Sequence, residues 1–272
     1  MRRLAFLLVA VLYLVCAPFA AAQEPETMIW GFSDYPPFKY KEDGEYKGID
    51  VLLMNDIAEV LGVKIVYYDC PFKRCLDLMR SGRVDFMTAL GMRDDRKDYV
   101  DFIFPPYNEK NAKVLYFKKG SKVKIDTYDD MYKYSIGVKN GVSYFTKFDD
   151  DKKIDKQIVN EAEMNLRKLE QNRIDAAMNT EIQMDYLILK HGYEGAFEKS
   201  LYRDESGNDY IGFSKNSKFA KRKKEIESIV DGMVKSGHTK AVVTEFFVEI
   251  QNQMKRFPRP VEPAAPAPPK KP

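Results

Sequence analysis

Two stretches, LDLMRSGRVDFM at residues 76–87 and LRKLEQNRIDAA at residues 166–177, run through the same succession of parts 90 residues apart. Each ends a helix-patterned segment, passes through Gly82 or Asn172, and enters a strand through Arg-Val-Asp or Arg-Ile-Asp. Gly and Asn tolerate the left-handed conformation that closes a helix C-terminus. Chance likeness between two αβ units is the competing explanation. The recurrence predicts two similar α/β lobes.

The segments around these junctions extend the pattern. MIWGFS (28–33), VKIVYY (63–68) and VDFMTA (84–89) predict strands. Asp50 is placed to cap a helix whose apolar positions, Val51, Leu52, Met54, Ile57, Ala58 and Leu61, follow a 3.6-residue period. Phe72 to Ser81 predicts a short helix. The alternation restarts with strands AKVLYFKK (112–119) and YSIGV (134–138), a short helix from Val142 to Phe148, and a helix from Glu161 to Gln171. It continues with strand IDAAM (174–178), a helix from Thr180 to Lys190, and strand DYIGFS (209–214). Two helices, Lys218 to Lys235 and Thr239 to Gln253, close the body. Such alternation favours mostly parallel sheets flanked by helices. The chain crosses between lobes near 105–118 and again near 205–215, and two crossings make a hinge. Open α/β sheets present ligand sites at the carboxyl ends of their strands, so two facing sheets predict a cleft.

Composition removes several functional classes. The chain has 272 residues, 44% hydrophobic, 31% charged and 13% aromatic, which excludes a disordered body. A net charge of +3 speaks against a nucleic-acid partner. Two histidines and three cysteines speak against a structural zinc site, and neither a metal nor a cofactor is expected. No apolar run of eighteen residues follows residue 22.

Both ends separate from the body. Residues 1–22 join Arg2 and Arg3, a short apolar stretch from Leu4 to Val15, and Ala20, Ala21 and Ala22. This is the pattern of a signal peptide cut before Gln23. An uncleaved anchor and lipidation at Cys16 are the alternatives, the second poorly matched by Val15 before it. Export meets an oxidising compartment, so Cys70 and Cys75 of CPFKRC read as a disulfide, with a redox-active pair as the alternative. Seven of the fourteen prolines fall in residues 257–272, so 255–272 reads as an extended tail, inert or a spacer.

No GxSxG, P-loop or GxGxxG signature is present. Asp149, Asp150 and Asp151 read as solvated surface. The recognition parts sit after strands. Tyr35 and Phe38 of SDYPPF offer flat faces, as does Phe72 on its proline-led turn. Thr88 precedes GMRDDR (91–96), where Arg96 can fork around a carboxylate. KNGVSY (139–144) follows a strand and opens a helix, so Gly141 and Ser143 form a candidate anion site. Thr180 and Glu181 follow strand 174–178 and are placed for a ligand ammonium.

From residue 28 to about 250 the sequence resembles the bacterial extracellular solute-binding proteins of family 3, the periplasmic amino-acid receptors of ABC importers. The resemblance rests on Tyr35-Pro36-Pro37-Phe38, GEYKGID (44–50), SGRVDF (81–86), RDDRKDYVDF (93–102) with Pro106-Tyr107, GVKNGVSY (137–144), NRIDAAM (172–178) and a C-terminal helix pair around Gly237. It implies a type II clamshell with a two-strand hinge. The corresponding division is a leader at 1–22, a first lobe at 23–108, a second lobe at 109–205, a return crossing with C-terminal helices at 206–254, and the tail. It also implies roles. Tyr35 and Phe72 sandwich a ligand side chain, Arg96 holds the α-carboxylate, and Ser143 with the backbone near Gly141 adds donors from the second lobe. Three positions depart from the pattern. Thr180 stands where an Asp is expected, Gly91 where Ser or Thr is usual, and Arg93 where Thr is usual. The preferred reading has Glu181 take over the ammonium; the other has a ligand that is not a standard α-amino acid.

The expected activity is therefore that of a non-enzymatic, monomeric periplasmic receptor. It binds an amino acid or small carboxylate and delivers it to an ABC permease. The alternatives are a dehydratase of prephenate type on the same fold, using Arg93, Arg96 and Glu181, and a receptor for a signalling partner. Export with cleavage predicts Gln23 as the first residue of the secreted protein. N-terminal sequencing that returns Met1 rejects it.

Overall fold

The computed structural model describes residues 25–256 apart from residue 110. The expected leader and the proline-rich segment from 257 onward lie outside the described residues. The first half holds β1 (Glu26–Phe32), the hairpin β2 (Tyr40–Glu42) and β3 (Glu45–Lys47), α1 (Ile49–Leu61), β4 (Val63–Asp69), α2 (Phe72–Arg80), β5 (Phe86–Leu90), α3 (Asp94–Lys97) and β6 (Val100–Phe102). The middle holds β7 (Lys113–Lys118), a 3-10 segment (Tyr128–Lys133), β8 (Ser135–Lys139), α4 (Thr146–Asp150), β9 (Asp155–Val159), α5 (Glu163–Glu170), β10 (Ala176–Thr180), α6 (Glu181–Lys190) and β11 (Phe197–Asp204). The chain ends with β12 (Tyr210–Ser214), a 3-10 segment (Lys218–Arg222), α7 (Lys223–Lys235) and α8 (His238–Arg256). The last helix thus runs on through residues 255 and 256, which the sequence assigns to the tail.

The two five-stranded sheets have equivalent layouts. One has the order β4-β1-β5-β12-β6 and the other β9-β8-β10-β7-β11. In the first, β4, β1 and β5 are parallel, and β12 is antiparallel to β5 and β6. In the second, β9, β8 and β10 are parallel, and β7 is antiparallel to β10 and β11. The reversed strand is in each case the first one laid down after a crossing between lobes. Since β7 belongs to the second sheet and β12 to the first, the linking segments shorten to 103–112 and 205–209. They pair with each other through an Asn108–Asp209 bridge.

The repeated junction performs the same physical task twice. Gly82 (φ 73°) and Asn172 (φ 53°) both take the left-handed conformation. Arg83 N–H then returns to the Leu78 carbonyl and Arg173 N–H to the Lys168 carbonyl, satisfying acceptors at the helix end. The Asp85 carboxylate accepts the Ile29 N–H of β1 at 2.7 Å, and Asp175 accepts the Ser135 N–H of β8 at 2.8 Å. Each aspartate therefore locks its incoming strand beside the central parallel strand of its lobe.

Two local expectations are corrected. The first long helix begins at Ile49 with Gly48 as its cap, not Asp50. Gly48 has φ 120°, and a Cβ there would collide with the Phe38 carbonyl, so only glycine fits. Asp50 instead turns its carboxylate inward. The helix expected over 142–148 is the five-residue α4, displaced because Asp149 folds the preceding loop onto itself. The hairpin, α3, β6, β9 and β11 carried no signal because each is short or lies at a sheet edge.

The core of the first sheet is a cross-strand ladder of Trp30, Phe86 and Phe213, in register on β1, β5 and β12 and stacked at 5.3 and 5.5 Å. Helix α8 packs on α1 and α7 of the first lobe and reaches α6 of the second, where Phe246 meets Tyr186. Among the described residues no helix is long and apolar enough to cross a membrane.

Cys70 and Cys75 form a disulfide across the start of α2, bracketing Phe72. Closing so short a loop constrains the unfolded chain by about 2 kcal/mol. The double variant Cys70→Ser/Cys75→Ser is expected to lose about that much stability in urea denaturation. Wild type under reducing conditions should show the same loss.

Candidate functional site

The carboxyl ends of the parallel strands carry every site residue chosen from sequence except Thr88, which lies within β5. In the first lobe, β1 leads to Tyr35, β4 to Phe72 and β5 to Gly91, Arg93 and Arg96. In the second, β8 leads to Gly141 and Ser143, and β10 to Thr180 and Glu181. The two edges meet. The Tyr35 hydroxyl lies 3.4 Å from Thr180 Oγ1, and the Gln183 side-chain amide donates to the Pro36 carbonyl at 3.0 Å.

Arg96 is partly buried at the first-lobe edge. Its Nη1 donates to the Gly91 carbonyl at 2.9 Å, and the guanidinium lies 5.4 Å from the centre of the Phe72 ring. Its buried Nε has no partner among the described residues. Burial, with the Arg93 charge, disfavours its cationic form relative to an ordinary arginine. A cation held this way gains from an incoming anion. Arg93 is exposed and paired with Asp95 at 3.0 Å. Gly91 faces open space. Ala89, between Thr88 and Gly91, has φ 55°, a strained conformation held by donation of its N–H to the Tyr107 hydroxyl.

The second-lobe donors face a carboxylate of the chain itself. Ser143 Oγ donates to Asp149 at 2.7 Å, and the Tyr144 N–H donates to the same group. The aspartate run is thus not plain solvated surface: Asp149 organises the loop, and Asp151 accepts from the Tyr128 and Tyr132 hydroxyls. Gly141 (φ 73°) and Ser143 line an open hollow of about 400 Å³ with Lys139, Tyr144 and Lys156. Glu181 is committed as well, one oxygen to Lys199 and the other to Arg203. Burial raises its affinity for a proton, but the two cations outweigh this and hold it below the usual range.

A buried polar cluster between the lobes escaped the sequence reading. Lys39, 1% exposed, gives its ammonium to the Thr88 carbonyl at 2.7 Å and the Thr88 hydroxyl at 3.0 Å. Thr88 is therefore spent beneath the site rather than offered to a ligand. Asp50, fully buried, accepts the Tyr107 hydroxyl at 2.9 Å, and burial raises its carboxyl against the pull of Lys39. Asp209 accepts the side-chain amides of Asn108 and Asn111 at 2.9 and 2.7 Å, which ties the two linking segments together. Lys113, 9% exposed, reaches Thr180 Oγ1 at 2.8 Å and the Asn111 carbonyl at 3.3 Å. The available signal was a lone charge inside an apolar run, as Lys113 is in AKVLYF.

The sequence profile of bacterial extracellular solute-binding proteins, family 3, matches residues 28–249. The chain belongs to that family. Among curated relatives of this family 3 protein, a probable histidine-binding protein of Campylobacter jejuni is 28% identical over 186 residues, 63% of this chain and 72% of the relative. The probable amino-acid-binding protein YxeM of Bacillus subtilis is 24% identical over 219 residues, 78% of this chain and 80% of the relative. The fold matches an ancestral arginine-binding protein bound to arginine with TM-score 0.63 at 22% identity, over 81% of this chain and 98% of that one. It matches substrate-binding domain 2 of Lactococcus lactis GlnP, in an open conformation, with TM-score 0.64 at 21% identity, over 83% and 96%. The two-lobed type II architecture expected for family 3 is therefore borne out.

Burial pushes the Asp209 carboxyl up to about 6 from an ordinary 3.8, against the opposing pull of Lys113. The folded chain then holds this proton more tightly than the unfolded chain. Stability is expected to fall as pH rises from about 4 to 6, by up to roughly 3 kcal/mol from this group. Asp209→Asn should remove that downward slope. Urea midpoints of both proteins between pH 4 and 7 check it, and parallel profiles would assign the slope elsewhere.

Proposed function

We propose that this family 3 protein is exported and works as a monomer that captures an amino acid or small carboxylate in the interlobe cleft and delivers it to an ABC permease. The observation that carries the carboxylate is Arg96, whose guanidinium lies over Phe72 at a strand end with a buried Nε unpartnered among the described residues. A ligand carboxylate would accept from it while Phe72 and Tyr35 cover the rest of the solute. The names of the two curated relatives, a probable histidine-binding protein and a probable amino-acid-binding protein, support a solute of this size and polarity.

Capture follows from the connectivity. Solute loads onto the first-lobe edge, and bending of segments 103–112 and 205–209 brings the second-lobe edge onto it. Water leaves, and each charged contact strengthens as the local dielectric falls. The closed form is favoured only by contacts made in it, which is the difference a membrane partner can read. The dehydratase alternative loses support because the groups it requires are engaged: Glu181 with Lys199 and Arg203, and Arg93 with Asp95.

Arg96→Ala is expected to weaken binding of the preferred solute on the order of a hundredfold, the loss of two charge-assisted hydrogen bonds or about 3 kcal/mol. Titration calorimetry measures it. Small-angle scattering of wild type should show compaction with solute. Equal affinity in the variant would remove Arg96 from the site.

A further inference from the structure

We propose that the cleft is built for an organic acid whose α-substituent accepts hydrogen bonds, a 2-oxo or 2-hydroxy carboxylate, rather than for a zwitterionic α-amino acid. The proposal rests on Arg96 as the carboxylate anchor of the solute site. An α-amino acid brings, one carbon from its carboxylate, an ammonium with three N–H donors. Burying that ammonium requires unspent acceptors, at best an ionised acid.

Most acids near the strand ends already have partners, although Asp50 Oδ2 is a buried acceptor with none among the described residues. Glu181 is held by Lys199 and Arg203, one oxygen each. Asp149 receives Ser143 and the Tyr144 N–H. Asp95 pairs with Arg93 on an exposed surface. Asp50 and Asp209 lie in the buried cluster, the first receiving Tyr107 and the second Asn108 and Asn111. Gly91 supplies no side-chain acceptor.

Where the lobes touch, the protein supplies an ammonium of its own. Lys113 donates to Thr180 Oγ1, the oxygen that also lies 3.4 Å from the Tyr35 hydroxyl. Lys113 is nine-tenths buried, with two N–H directions used by Thr180 and the Asn111 carbonyl. Its third N–H has no partner among the described residues. A ligand ammonium brought against this group would set two like charges together in a dry space. A keto or hydroxyl oxygen in the same position would instead accept from Lys113 or Tyr35. Asp50 and Asp209 act electrostatically on Lys39, and Asp209 acts on Lys113; Arg96, beside both Arg93 and Asp95, gains from an incoming anion.

The test uses the full chain and matched triplets with one side chain and three α-substituents. These are L-alanine, pyruvate and L-lactate; L-glutamate, 2-oxoglutarate and L-2-hydroxyglutarate; and L-phenylalanine, phenylpyruvate and L-phenyllactate. Thermal shift finds the triplet that binds, and calorimetry measures its members. The oxo or hydroxy acid is expected to bind at least tenfold more tightly than the amino acid. Lys113→Gln should shrink that ratio to within about threefold. Thr180→Asp, which places an acid at the lobe contact, should turn the preference toward the amino acid; it serves independently if Lys113→Gln does not fold by circular dichroism. If wild type prefers the amino acid and Arg96→Ala weakens it, the inference is overturned while the solute-binding reading stands. Should no member of any triplet bind while a thermal-shift screen of the twenty amino acids finds one that does, the inference falls and the solute-binding reading stands; if neither screen finds a ligand, both fall. A ratio unmoved in a folded Lys113→Gln protein overturns the part given to Lys113.

Discussion

Two short lengths of chain join the lobes, and one buried carboxylate holds those lengths together. Asp209 receives the side-chain amides of Asn108 and Asn111 from the opposite segment, and the Asn111 and Asp209 N–H groups bond to the Gly207 and Asn108 carbonyls. Any motion of one lobe against the other has to pass through this knot. It is polar because linking strands outside a sheet present backbone groups with no ladder to join, and buried groups of that kind must find partners. Burial makes the knot costly in isolation, and Lys113 beside it offsets part of that cost.

The same arrangement governs what the cleft can offer. Lys39 and Lys113 are drawn into the cluster by Asp50 and Asp209, and each takes the oxygen of a threonine at or near a strand end, Thr88 or Thr180. Side chains that look available in sequence are thereby used inside the protein. Ser143 meets Asp149 and Glu181 meets Lys199 and Arg203 in the same way. Arg96, held over Phe72 by one bond to a carbonyl of its own loop, keeps a buried Nε without a partner among the described residues.

The twofold repetition of the architecture has a local origin. A left-handed residue closes a helix, and three positions later an aspartate reaches back to the N–H of a neighbouring strand. This happens at Gly82 with Asp85 and again at Asn172 with Asp175. Because both ends of the junction are fixed, the strand that follows has one place to go, beside β1 or β8. Three parallel strands then end at one edge in each lobe, and the edges face each other through Tyr35 and Thr180.

The sequence by itself determined the two-lobed α/β plan, the double crossing, the disulfide and the strand-end location of the candidate site residues. These are encoded locally, in hydrophobic period, in residues that tolerate left-handed backbone, and in the spacing of paired junctions. Tertiary structure alone decided which of these candidate residues are engaged within the protein. Asp50 capping α1, Thr88 facing a ligand and Glu181 awaiting an ammonium were all reasonable from their neighbours in the chain. Their actual partners, Tyr107, Lys39, and Lys199 with Arg203, lie 57, 49, 18 and 22 positions away. A polar side chain's role is set by what it pairs with once buried, and no local pattern records a partner supplied from elsewhere in the chain.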